Sequence, residues 1–256
     1  MQFTWLLGIL LGAGILTTAI GLGQVVALFI KLNAFLMVFG GSVAAVVVHY
    51  PISKMRIVIR AVKVLFKKEK KRDRNIKFLI RFSKEVQTRK RSEMYEEIEK
   101  LDDTFLRKAL TFVVEKIETE KIKEHMEEYI EHMHYRHRIP IDFFETLGKY
   151  SPGFGLVGTI VGFIILLANL TDVSKLGVGV SIAFITTLYG VLLSYMIWTP
   201  LAGRLDSYSK DELQEKYILL SGVLLISKGC STFELKEKLS LLMSEKQHKR
   251  VFAEKK

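Results

Sequence analysis

PGFGLVGTIVGFIILLANL (Pro152–Leu170) and LGVGVSIAFITTLYGVLLSYMIWT (Leu176–Thr199) are uncharged, apolar and separated only by Thr171–Lys175. About 20 residues at roughly 1.5 Å rise cover the ~30 Å hydrocarbon layer, so each stretch can cross a bilayer and the two form a membrane hairpin. The hairpin is not uniformly greasy. It carries the hydroxyls of Thr159, Thr186, Thr187 and Tyr189, and glycines at 153, 155, 158, 162, 177, 179 and 190. Such residues let helices pack closely and line something polar.

The rest of the chain segregates in the same way. Hydrophobic residues make up 49% and charged ones 25%, yet Phe3–Ile30 has no charge and Leu32–Tyr50 has only His49. Lipid admits only helices or closed barrels, and these runs lack strand alternation. The expected fold class is therefore an all-α membrane protein with four transmembrane helices. A large helical cytoplasmic domain lies between helices 2 and 3, and a helical tail follows helix 4. The boundaries are 1–50 for helices 1 and 2 with a turn near Gly23–Asn33, 51–149 for the cytoplasmic domain, 150–202 for the pore-lining hairpin and 203–256 for the tail. A cleaved signal peptide is not expected, because no basic segment precedes the first apolar run and that run is long.

Lys and Arg dominate both charged blocks, Lys54–Lys149 and Arg204–Lys256. The positive-inside rule then places both blocks, and with an even number of spans both termini, in the cytoplasm. The net charge of +11 does not imply nucleic acid, since no aromatic-interleaved basic motif is present. The densest cluster, Lys67–Arg74, follows a membrane helix and fits attraction to anionic lipid.

Helical periodicity continues through the block. Met55, Ile59, Val62 and Phe66 predict that the second span extends out of the membrane as an amphipathic rod. Ile76, Leu79, Ile80 and Phe82 predict a short helix, and Leu106, Leu110, Val113, Val114 and Ile117 another after the Asp102-Asp103 turn. A charged helix over about Lys121–Arg138 is expected to stop at Pro140. Loop and tail together read as one compact helical domain.

No nucleotide loop, dinucleotide fingerprint, nucleophile elbow or HExxH motif occurs, so the chain is not read as an enzyme. His125, His132, His134 and His137 read as a solvated face rather than a metal site, and Cys230 as a small apolar residue. An ion pathway normally needs a buried ionisable group, and no span has an Asp or Glu. If Thr159, Thr186 and Thr187 serve a cation, the carboxylate must come from another chain. The plainer use of such hydroxyls is a bond to the carbonyl one turn back.

Tyr150-Ser151-Pro152-Gly153-Phe154-Gly155-Leu156-Val157-Gly158-Thr159-Ile160-Val161-Gly162, then Asn169-Leu170, Ile185-Thr186-Thr187-Leu188-Tyr189-Gly190 and Pro200-Leu201-Ala202, closely resemble the MotA flagellar stator family. Phe39-Gly40-Gly41-Ser42 and Asp102-Asp103-Thr104-Phe105-Leu106 extend the resemblance over essentially the whole chain, in order. It implies residence in the bacterial inner membrane and a ring, commonly pentameric, around a dimer of MotB, whose single span supplies the ion-binding Asp. Thr159 and Thr187 would line the ion route with Thr186 and Tyr189 nearby, and Pro152 and Pro200 would couple ion flow to movement. The family implies no cofactor beyond the transported cation, sodium or proton. Having Thr at both 159 and 187 favours sodium, which needs several oxygen ligands once dehydrated.

The resemblance also implies contact with the rotor protein FliG through a basic and an acidic residue. Gln87-Thr88-Arg89-Lys90-Arg91-Ser92-Glu93-Met94-Tyr95-Glu96-Glu97 lacks the family's usual Gly. Arg89 is the best basic match, flanked by Lys90 and Arg91; Glu93, Glu96 and Glu97 remain open for the acid. The rival readings are an ExbB/TolQ-type transducer, which typically has three spans, a defence motor of the ZorA type, which usually has a longer tail, and a passive membrane scaffold.

Overall fold

The computed structural model describes residues 4–21, 26, 28–64, 72–86, 89–243 and 245–252. Among them every regular element is helical. Helix α1 spans Thr4–Ile20, and α2 runs from Leu32 to His49 with a π-helical turn over Leu36–Gly40. Helices α3 (Ile52–Val64), α4 (Arg72–Glu85), α5 (Arg91–Glu99) and α6 (Thr104–Val114) are short. Helix α7 is Thr119–Ala168; α8 comprises Val173–Leu192, a π-helical turn Leu193–Trp198, and Thr199–Ser227. Helices α9 (Thr232–Leu242) and α10 (Glu245–Phe252) complete the chain.

Two compact units divide these elements: residues 1–67 with 136–207, and residues 68–135 with 208–256. Leu32–His49, Thr119–Ala168 and Leu176–Ser227 each contain a stretch long and apolar enough to cross a membrane. The predicted first span is shorter. Helix α1 has 17 residues, about 26 Å of helix, and ends at Gly21, whose φ of +102° is a left-handed conformation that glycine adopts without penalty. Gly23–Val25 and Ala27 of the turn expected at Gly23–Asn33 fall outside the described residues. Leu10 and Phe184 are 69% and 72% exposed, apolar surface that a monomer in water would not be expected to present.

Proline decides two points against the sequence reading. The rod expected to run on from the second span is interrupted: α2 ends at His49, Tyr50 is extended (φ −113°, ψ 127°), and α3 begins afresh after Pro51. Crowding by the proline ring disfavours the helical conformation in the residue before it. Phe66, the last residue of the expected stripe, lies outside the described residues, as do Lys67–Lys71 of the densest basic cluster. Pro140 has the opposite outcome and sits inside the continuous helix α7. An interior proline costs about 3 kcal/mol through its missing N–H and ring clash. Burial of Ile139, Ile141, Phe143, Phe144 and Leu147 around it, at roughly 1.5–3 kcal/mol each, outweighs that cost.

The second unit has its own apolar core. Leu79 and Phe82 of α4, Ile98 of α5, Leu106 and Leu110 of α6 and Ile122 and Met126 of α7 meet Leu219 and Val223 of α8 and Leu235 and Leu239 of α9. Asp103 caps α6, accepting from the N–H groups of Phe105 and Leu106. Ile117 lies beyond that helix, whose cap at Glu115 is followed by Lys116 with φ +57°.

Candidate functional site

The hairpin of α7 and α8 is built on backbone contact. A Cβ on Gly155 would lie 2.9 Å from the Thr186 carbonyl oxygen, and one on Gly162 2.6 Å from the Gly179 oxygen. On Gly190 it would meet the Ser151 oxygen at 2.7 Å and Pro152 Cα at 3.1 Å, while Gly158 faces the Thr186 side chain. Only glycine permits this approach. Gly41 does the same for α2, lying against the ring of Phe154.

Close approach brings Thr159 and Thr187 together from the two helices. Their Oγ1 atoms are 2.5 Å apart. Thr159 also donates toward the Gly155 and Ala183 carbonyls at 3.1 and 3.2 Å, and Thr187 reaches the same Ala183 oxygen at 3.1 Å. Each hydroxyl has one proton and two lone pairs, so one can donate to its partner and the other to a carbonyl, leaving a free lone pair on each oxygen. Thr187 is exposed and Thr159 half-buried. The cluster can therefore offer oxygen ligands on one face of the hairpin, but it contains no group that ionises.

Thr186 and Tyr189 are placed elsewhere. Thr186 is fully buried between the helices, its hydroxyl donating to Ile182 and Ala183 carbonyls at 2.9 and 3.0 Å. Tyr189 donates to the Phe29 carbonyl and accepts from Lys31 N–H at 3.0 Å, tying α8 to the start of α2.

Around Pro152 and Pro200 the two helices are pinned by side chains that sequence reading did not single out. Ser194 Oγ donates to the Gly148 carbonyl at 2.7 Å, and Trp198 Nε1 donates to Ser151 Oγ at 3.0 Å. The second π-helical turn ends where Thr199 N–H bonds the Ser194 carbonyl, immediately before Pro200. Pro200 offers no N–H of its own, so hydrogen bonding on this face of α8 is already irregular there. The signal in the sequence was slight: a serine directly before the first span of the hairpin and another inside the second.

In the second unit the charged residues form a network. Arg89 approaches Glu85 at 3.3 Å and Glu97 at 3.2 Å, and Arg81 bonds the same Glu97. Arg91 lies 3.9 Å from Glu115, which also accepts the Tyr95 hydroxyl. That hydrogen bond, then burial and the Glu115 charge, push the Tyr95 phenol above its usual range. Glu93 and Glu96 line a cleft of about 670 Å³ with Phe78, Lys100 and Leu101, and among the described residues neither has an ion-pair partner. Lys90 occupies the cap position of α5, while Gln87 and Thr88 lie outside the described residues.

Among the described residues no three His, Cys, Asp or Glu side chains are grouped to hold a metal. His125 lies against the Phe112 ring and His132 is 3.7 Å from Glu128. Burial, and then the Glu234 charge, raise the Cys230 thiol.

Residues 97–217 match the model of the MotA/TolQ/ExbB proton channel family. The chain is similar to motility protein A of Bacillus subtilis, 31% identical over 83% of this chain and 80% of that protein. Among solved structures, the flagellar MotAB stator complex from Bacillus subtilis aligns with a TM-score of 0.84 and 30% identity, covering 97% of this chain and 98% of that one. The C. jejuni MotAB structure aligns with a TM-score of 0.87 at 22% identity, over 96% and 97% of the two chains, and shares the fold.

Proposed function

This chain belongs to the MotA/TolQ/ExbB proton channel family, and from that premise we propose that it is a stator subunit of the bacterial flagellar motor. It works as an ion-driven machine rather than as an enzyme. Similarity to motility protein A and to a MotAB stator complex over nearly the full chain favours this reading over an ExbB/TolQ-type transducer or a passive scaffold.

The observation that carries the mechanism is the Thr159–Thr187 oxygen cluster between two apolar spans, Pro152–Leu170 and Leu176–Thr199, that hold no carboxylate. It can supply ligands to a cation but cannot hold a proton or balance a charge, so it calls for an acidic partner. We assign that part to the Asp of a single-span MotB-type subunit, around which copies of this chain form a ring, five being the family's common number. Four spans in the inner membrane, with α1 as the shortest, put both termini and the basic blocks in the cytoplasm. The transported ion is assigned as sodium, because hydroxyl and carbonyl oxygens around an Asp complete a dehydrated cation's shell. Movement of α7 and α8 about Pro152 and Pro200 would pass to the charged cytoplasmic face carrying Arg89, Glu93, Glu96 and Glu97, which meets FliG.

The test is flux through proteoliposomes. The chain alone should conduct negligibly, and with its MotB-type partner, freed of any plug, it should conduct. Robust cation flux through the single subunit would overturn the reading.

A further inference from the structure

We propose that α3 is a phospholipid-binding helix, which lies in the cytoplasmic headgroup layer and holds the phosphates of anionic lipid. The proposal rests on reading α2 as a membrane span. Helix α3 begins three residues after α2 ends, too close to leave the membrane surface.

Its faces are sharply divided. Val58 is buried and Met55 and Val62 are half-buried, one stripe at helical spacing turned inward. The opposite stripe, Ile52, Arg56, Ile59, Arg60 and Lys63, is exposed throughout, with Ile52 at 78% and Ile59 at 58%. At 100° per residue those five positions fall within about 100° of arc. Val48, at the end of α2, is 90% exposed.

Charge selects the occupant. No acidic residue occurs before Glu69, so α3 carries only cations. Among the described residues, Arg56, Arg60 and Lys63 have no carboxylate partner. Two exposed isoleucines set among three cations on one stripe suit neither a purely apolar contact nor full solvation. A headgroup layer satisfies both demands: the isoleucines enter the acyl boundary while the long basic stems snorkel to phosphate. Arginine suits this role because its guanidinium can engage phosphate through two hydrogen bonds.

The test uses the full chain with Cys230→Ser and a nitroxide on Ile59→Cys, reconstituted in vesicles of phosphatidylcholine with or without one third phosphatidylglycerol. A nitroxide on Phe163→Cys separately reports that α7 is in the bilayer. In anionic vesicles the position-59 label should collide with oxygen and be shielded from a water-soluble nickel chelate. Removing phosphatidylglycerol, or Arg56→Gln/Arg60→Gln/Lys63→Gln, should return it toward water. At about 1 kcal/mol per basic residue, losing three lowers the ratio of immersed to solvated helix by roughly a hundredfold. A label at 59 open to the chelate in anionic vesicles, while that at 163 is immersed, would show a solvated face and overturn the proposal. A label shielded from both reagents would mean that protein, such as a second copy, covers the face, and would overturn it too. Equal immersion in both lipids and in the triple variant would refute phosphate recognition.

Discussion

Lys216 Nζ lies 2.6 Å from Asp103 Oδ2, and the two side chains are only 9% and 11% exposed. Asn75 donates to the same oxygen at 2.9 Å, while Oδ1 caps α6. The ammonium also sits 5.4 Å from the centre of the Phe105 ring. One carboxylate thus joins α4, α6 and α8 within the second unit. Breaking such a pair leaves an uncompensated buried charge, which costs more than the pair itself contributes. Asp103→Ala should destabilise by roughly 3–5 kcal/mol, combining a stranded Lys216 with a lost cap. Asp103→Asn/Lys216→Met should recover at least half of that, read from denaturation midpoints in detergent. Equal loss in both variants would refute the account.

Gly190 and Gly153 make a matched comparison on the hairpin. A methyl on Gly190 meets the backbone of Ser151 and Pro152, whereas nothing lies within 4 Å of one on Gly153. Backbone cannot rotate away as a side chain can, so Gly190→Ala must move α8 off α7 and part Thr159 from Thr187. Gly190→Ala should abolish or severely reduce swimming and Gly153→Ala should not, with membrane levels of both checked by immunoblot.

Thr159→Ala removes one oxygen of the cluster and leaves Thr187 bonded to Ala183 alone. With sodium as the ion, motor speed at fixed pH should rise with external sodium, and the alanine variant should need several-fold more of it. Wild-type rotation that is unchanged without sodium would refute the assignment.

Arg89 and Glu97 are already partners, together with Arg81 and Glu85. Glu97→Arg would therefore crowd three cations, whereas Glu93→Lys and Glu96→Lys break no ion pair among the described residues. Glu93 and Glu96 are exposed, so stability should change little in those two variants, whereas Glu97→Arg removes two ion pairs at a half-buried position. Motility at high load should fall with Glu93→Lys/Glu96→Lys and be partly restored by reciprocal changes in FliG. Unchanged swimming in the combined reversal would remove this cleft from the rotor interface.

Apolar length and charge segregation were enough to recognise the α7–α8 hairpin, the basic blocks and most of the short helices, because these depend on local spacing and on solvent preference. The motif residues from Tyr150 to Gly190 were likewise legible as a family pattern. The same local rules misjudged Pro140, where the packing of Ile139, Ile141 and Phe143 overrides a helix breaker, and Pro51, which divides α2 from α3 despite an unbroken apolar stripe.

Pairing between distant residues could not be read along the chain. Thr159 meets Thr187 because Gly155 and Gly158 let the helices touch, which sends Thr186 inward and leaves Tyr189 against Phe29 and Lys31. Glu97 is drawn to Arg81 and Arg89 while Glu93 and Glu96 have no ion-pair partner among the described residues, a distinction invisible in a run of acidic residues on one helix. Solvent preference acts on each residue alone and therefore survives in the linear text. Partner choice depends on distances set by packing from elsewhere in the chain, and only the tertiary structure supplies those.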